Sequence, residues 1–231
     1  MNDPGGDSML KLNRVDKPAS LSEIAYNALR ESILTFKLVP GITYSELKVA
    51  EDLGLSRTPI REALLRLSAQ GLITFLPRKG FELTRYTEKD VEDVFELRQM
   101  LEPPLLKKIT RKLTDKELGK LEGELSVQRK AAEEEDTFTF LESDRIFHNL
   151  LYEFGDNKRL MGIVENIQDI CHLMGVYALA ANGRMEASIH EHEFIVSAMK
   201  GKDPEKAARS MAEHLEEIHR AVQENFRVHN G

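Results

Sequence analysis

The chain has 231 residues, a formal net charge of −7, 41% hydrophobic and 31% charged residues, the balance of a globular protein that can bury one large core or two modest ones. No apolar run approaches the roughly 20 residues of a membrane span, and the opening "MNDPGGDSML" lacks the charged-then-apolar order of a secretory signal, so a cytoplasmic protein without a membrane partner is expected. The single cysteine, Cys171, can form no intramolecular disulfide and lies in "IQDICHLMGVYALA", where a small hydrophobe suits a helix core better than a reactive thiol does.

Residues 1–18, rich in Gly, Asp, Lys and Pro without apolar periodicity, read as a flexible leader. Ser20 or Ser22 caps the helix that follows, with Glu23 at capping-box spacing from Ser20 and Leu21, Ile24, Leu29 and Ile33 on its apolar stripe. Pro40 and Gly41 stop it. Ser45 caps a second, short helix, "ELKVAEDLG". Ser56 or Thr58 caps a third, in which Pro59 occupies a tolerated first-turn position and Ile60, Ala63, Leu64 and Leu67 face inward until Gly71. Two short helices joined by a tight glycine turn form the helix-turn-helix pattern. The sequence "LITFL", then "PRKG", then "FELT" predicts a hairpin with Arg78, Lys79 and Gly80 at its tip.

From Thr87 onward the periodicity is helical, with helices at about 87–112, 114–134, 136–154, 157–181, 184–201 and 204–228. Thr114, Asp156 or Asn157, and Asp203 before Pro204 are their caps. The expected fold is therefore mainly α: a helix-turn-helix with a hairpin over residues 19–86, then an all-α antiparallel helical bundle over residues 87–231. Charge divides along the same line. Residues 1–86 hold 12 Lys and Arg against 10 Asp and Glu, whereas residues 87–231 hold 20 against 29.

Five basic residues fall within residues 54–81: Arg57, Arg61 and Arg66 on the third helix, and Arg78 and Lys79 on the hairpin tip. A solvated helix face with a polar turn would account for their number, but their placement favours a phosphate-bearing partner. Arg57 and Arg61 are four apart at a helix start, where free N–H groups and the dipole attract anions, and Ser56 and Thr58 add hydroxyl donors there. The segment "AEDLGLSRTPIREALLRLSAQGLITFLPRKGF" resembles the winged-helix DNA-binding motif of the GntR family of bacterial transcriptional regulators, and "SRTPIREAL" is highly specific for it. The resemblance implies that Ser56, Arg57, Thr58 and Arg61 read the groove of double-stranded operator DNA, that Lys79 and Gly80 form the tip of the wing, and that arginine–guanine pairing is the principal specific contact. One position departs from the pattern. Many members carry arginine on the second helix where this sequence has Leu47, and Lys48 is the neighbouring candidate for a backbone contact.

In the helical half, "SDRIFHNLLYEFGDNKRL" places Asp144 and His148 four apart on one helix face, within reach of one cation. His192 shares the apolar stripe of Ile189, Ile195, Val196 and Met199, and His214 that of Ala207, Met211, Leu215 and Ile218. A histidine on an apolar stripe is commonly a hydrogen-bonded core residue, so a metal centre and a structural role both remain open on spacing alone. Residues 87–228 resemble the C-terminal ligand-binding FCD domain of the FadR-like branch of the same family, through "DRIFH", "EHEFIVSAMKGKD" and "MAEHL". That resemblance implies a metal held by Asp144, His148, His192 and His214. Three imidazoles and a carboxylate suit zinc, chosen on availability, or nickel or another first-row divalent ion. A small organic acid effector could bind at the open positions, with Arg98 as the partner of its carboxylate and Asn149 and Ser188 as further candidates.

The expected function is a ligand-responsive repressor acting as a homodimer on a pseudo-palindromic operator, since one winged helix reads only a few base pairs. A metal-dependent hydrolase is the alternative of another class, but it leaves "SRTPIRE" unexplained and has no placed general base, so no enzyme activity is expected. A third reading keeps the DNA-binding half and gives the helical half dimerisation alone, with structural histidines.

Overall fold

The computed structural model describes residues 20–230 apart from residue 182; the expected leader lies outside the described residues. Among the described residues the order is α1 (Leu21–Leu34), α2 (Glu46–Asp52), α3 (Arg57–Ala69), β1 (Ile73–Leu76), β2 (Gly80–Leu83), α4 (Glu88–Thr110), α5 (Asp115–Glu133), α6 (Thr137–Phe154), α7 (Lys158–Leu179), α8 (Arg184–Lys200) and α9 (Pro204–Asn230). The winged helix-turn-helix followed by a helical bundle is thus the fold that the periodicity predicts, and helix ends differ from expectation by two residues or fewer.

Local chemistry accounts for the starts. Ser20 Oγ accepts from the Glu23 N–H at 3.2 Å, and Asn157 Oδ1 accepts from Arg159 and Leu160. Thr114 and Glu117 form a reciprocal capping box, as do Thr87 and Asp90. Ser45 and Ser56 occupy N-cap positions without a side-chain cap bond, which leaves the Ser56 hydroxyl exposed at the start of α3.

The N-terminal unit packs α1 against α3 around Ala25, Ile33, Ile60, Leu64, Leu67 and Phe81, all buried. β1 and β2 pair antiparallel, Ile73 opposite Leu83 and Leu76 opposite Gly80. Tyr44 and Phe81 exchange both backbone bonds, 2.8 and 3.0 Å, which fastens the hairpin to the chain just ahead of α2. In the bundle α9 lies along α4 and α8, and α5 along α6 and α8, over a core that includes Leu106, Phe147, Leu151, Met199, Met211 and Leu215. α4 continues through Pro103 and Pro104, so the carbonyls of Gln99 and Met100 have no N–H donor four residues on.

The two halves touch at α1 and α7. Arg30 donates through Nε and Nη2 to the two oxygens of Asp169, both at 2.5 Å, and the Asp169 side chain is 1% exposed. His172 Nε2 donates to the Leu34 carbonyl at 2.9 Å, its Nδ1 lies 3.3 Å from the Leu141 carbonyl, and Phe36 stacks on its ring.

Candidate DNA-binding groove and candidate metal centre

The starts of α2 and α3 face the hairpin tip across an open groove of about 490 Å³, lined by Leu47, Arg57 and Arg61 on one side and Arg78, Lys79 and Gly80 on the other. Ser56, Arg57, Thr58 and Arg61 are exposed, as are Arg78 and Lys79. Arg61 has a carboxylate at 3.7 Å, Glu46, and remains 66% exposed. Arg66 differs from the other four cations: its guanidinium sits 3.6 Å over the Tyr26 ring, which ties it to α1 and the unit's own packing. Lys48 pairs with Asp52 at 2.7 Å on its own helix and stays exposed beside Leu47.

Gly80 explains itself geometrically. Its φ is +123°, and a Cβ there would lie 2.0 Å from the Tyr44 carbonyl oxygen. Only glycine lets the wing lie this close to the helix-turn-helix.

In the bundle, α6, α8 and α9 bring His148, His192 and His214 together, each 1% exposed or less, with one ring nitrogen of each within 4.8 Å of the others. The second nitrogen of each ring is held from outside. His148 Nδ1 lies 2.8 Å from Glu102 Oε2, His214 Nδ1 2.8 Å from Glu191 Oε2, and His192 Nδ1 2.9 Å from Gln128 Oε1. Ionised carboxylates accept and cannot donate, so His148 and His214 carry their protons on Nδ1; the Nε2 of His214 then faces His192, while that of His148 lies 3.2 Å from the Arg98 Nη2 donor. The amide oxygen of Gln128 orients His192 in the same way. His192 Nε2 and His214 Nε2 then stand 3.3 Å apart, two lone pairs facing each other. Such a donor set fits a divalent ion. Asp144 is at the rim, its Oδ1 3.6 Å from His192 Nε2.

Electrostatics favour the neutral ring of His192 and His214 beside ionised carboxylates. Burial opposes charge on Glu102, but Arg98 and His148 beside it hold its carboxyl far below the usual range. Burial likewise opposes charge on Glu191, and its bonds with His214 and Arg184 hold it low. Burial pushes His192 well below the ordinary imidazole value, with His214 and His148 adding to the effect. His214 is lowered by burial against the pull of Glu191. Neutral imidazoles are the form a metal requires.

The residues that orient the cluster escape a search for histidines: Glu102 on α4, Gln128 on α5, and Glu191 with its bidentate partner Arg184 on α8. Glu102 and Gln128 did carry a signal. Each occupies an apolar stripe position, Glu102 among Phe95, Leu105 and Ile109, Gln128 among Leu121, Leu125 and Ala131.

Beside the cluster is a cavity of about 30 Å³, room for a water or two, lined by Asp144, His214, Ser188 and Arg98 among others. Ser188 Oγ is buried with no hydrogen-bond partner. Arg98 reaches the cavity, but its Nε already donates to Glu102 Oε1 at 2.6 Å and its Nη2 lies 3.2 Å from His148 Nε2. Asn149, half-buried on the flank of α6, does not line the cavity. Burial pushes the Cys171 thiol up to about 11, against any role as a nucleophile. Among the described residues no helix is long and apolar enough to cross a membrane.

The fold and the groove define a winged-helix regulator of transcription with a helical C-terminal domain, and comparison with known proteins agrees. The chain matches the bacterial regulatory proteins of the gntR family over residues 21–83 and the FCD domain over residues 93–217. It is 31% identical to the HTH-type transcriptional regulator YdhC of Bacillus subtilis over 204 residues, 87% of this chain and 91% of the relative. It is 28% identical to the HTH-type transcriptional repressor RspR of Escherichia coli over 199 residues, 86% and 87% of the two chains. Among solved structures, E. coli McbR/YncC superposes with a TM-score of 0.78 at 24% identity over 92% of this chain and all of the other, which speaks for the fold. The metal-free FCD domain of TM0439 superposes with a TM-score of 0.54 at 25% identity over 62% of this chain and 99% of that domain. The protein belongs to the GntR family of transcriptional regulators, in the branch with an FCD domain, and is not an enzyme.

Proposed function

We propose that the protein is a cytoplasmic repressor whose operator affinity is set by a small organic acid bound at a divalent metal, zinc in the first place, in the helical half. In this reading residues 19–86 bind DNA and residues 87–231 sense the effector and dimerise. Ser56, Arg57, Thr58 and Arg61 would meet base edges and phosphates in the major groove, with Arg78, Lys79 and Gly80 at the neighbouring backbone or minor groove. Two copies on a pseudo-palindrome supply the length of site that one lacks. Leu97 and Met100, both exposed and three apart on α4, offer apolar surface for that pairing.

The observation that carries the sensing half is the convergence of one ring nitrogen from each of three buried histidines, whose Nδ1 atoms each lie beside an acceptor. His148, His192 and His214, with Asp144 at the rim, would hold the metal, and the metal would supply a positive anchor for a carboxylate. Ser188, its hydroxyl buried without a partner, and Arg98 would meet the rest of the effector. Asn149 has no part in this reading, because it is off the cavity.

Elemental analysis of purified protein, followed by melting with and without a chelator, tests the metal. Zinc at 100 times its Kd contributes about 2.7 kcal/mol, or about 5–10 °C in a chain of this size. A melting temperature indifferent to chelator and to added zinc would leave the histidines structural. Gel-shift titration with candidate organic acids then reads the gating, which fails if saturating effector leaves operator affinity unchanged.

A further inference from the structure

We propose that Leu47 reads the 5-methyl group of a thymine in each operator half-site, next to the base pair read by Arg61. The inference rests on the operator-binding reading above and concerns what the groove selects.

Leu47 is 52% exposed. Scattered exposed leucines are ordinary, but this one lines the concave groove between two basic elements, among Arg57, Arg61, Arg78 and Lys79. A leucine gains nothing from a phosphate, and on the floor of the major groove the apolar group that a base presents is the thymine methyl. Its neighbours fix its position. Lys48 turns to Asp52 at 2.7 Å and Glu46 lies 3.7 Å from Arg61, and Leu47 between them lines the same groove as that guanidinium. A guanine-reading cation and an apolar knob thus share one wall of the groove. An arginine at position 47 would select guanine there. Leucine removes that preference and replaces it with one for thymine.

The test starts from the full-length protein and a pool of randomised DNA, from which the preferred operator is selected. Each thymine of that operator is then replaced singly by deoxyuridine, which deletes the methyl and leaves every hydrogen-bonding group in place. At one thymine per half-site the wild-type protein should lose affinity about three- to fivefold, the worth of one buried methyl-sized group. Leu47→Ala should bind thymine and uracil equally at that position, keep its penalties elsewhere, and melt at the wild-type temperature, since the side chain is half in solvent. Selection repeated with Leu47→Arg should enrich guanine at the same place. Equal binding of every deoxyuridine operator by the wild type, or a penalty that persists in Leu47→Ala, overturns the assignment while operator binding stands. A selection that enriches no sequence overturns both.

Discussion

Replacing Arg98 by alanine is expected to destabilise the protein by about 3–5 kcal/mol, the cost of leaving a buried carboxylate without its cation. Arg98 is 3% exposed and Glu102 1%, and the two are joined at 2.6 Å one turn apart on α4. Removing the guanidinium leaves Glu102 with the Tyr152 hydroxyl at 3.1 Å and His148 at 2.8 Å, neither of which can neutralise it as a permanent cation does. Domains are stable by about 5–15 kcal/mol, so the variant should unfold at a much lower urea concentration. The double replacement Arg98→Met with Glu102→Leu should recover only part of the loss, because it removes the stranded charge but leaves the buried Tyr152 hydroxyl and His148 Nδ1 without their acceptor. A urea midpoint unchanged in Arg98→Ala would mean that Arg98 serves the effector alone.

The second large effect is expected at Gly80. Alanine there would place Cβ 2.0 Å from the Tyr44 carbonyl oxygen in a region of φ that costs a non-glycine residue about 1–3 kcal/mol by itself. The two bonds between Tyr44 and Phe81 must then part, and the wing moves away from the groove it closes. Gly80→Ala should accordingly lose operator affinity more than tenfold, the equivalent of about 1.4 kcal/mol or more at the interface. Helix content by circular dichroism should stay near wild type, because α1 and α3 keep their core. Operator affinity within twofold of wild type would show that the wing does not need its place against Tyr44.

Helix starts were legible because their chemistry is local: Ser20, Thr114 and Asn157 cap with residues two or three positions on. The wing was legible for the same reason, with Gly80 marking the turn. The three histidines could be read because an imidazole on an apolar stripe stands out in sequence. Glu191 could not be, since it is partly exposed at the edge of its stripe, and only the packing of α8 on α9 brings it to His214. Glu102 and Gln128 lie between these cases. They interrupt stripes as plainly as the histidines do, but which groups they face is decided by how α4 and α5 lean on α6 and α8. The same limit applies to Arg66, whose charge suggested the DNA backbone or a solvated face and whose place over the Tyr26 ring follows only from how α3 meets α1.

The pair formed by Arg30 and Asp169 has a consequence for cooperativity. Asp169 is almost completely enclosed and meets Arg30 through both oxygens, so the first helix of the winged unit is held in one orientation on α7. His172, which bonds the Leu34 carbonyl and stacks on Phe36, adds a second tie between the same two elements. Unfolding of the whole chain should follow a single transition, and whatever tightens the bundle should be felt as added stability thirty residues from the amino terminus.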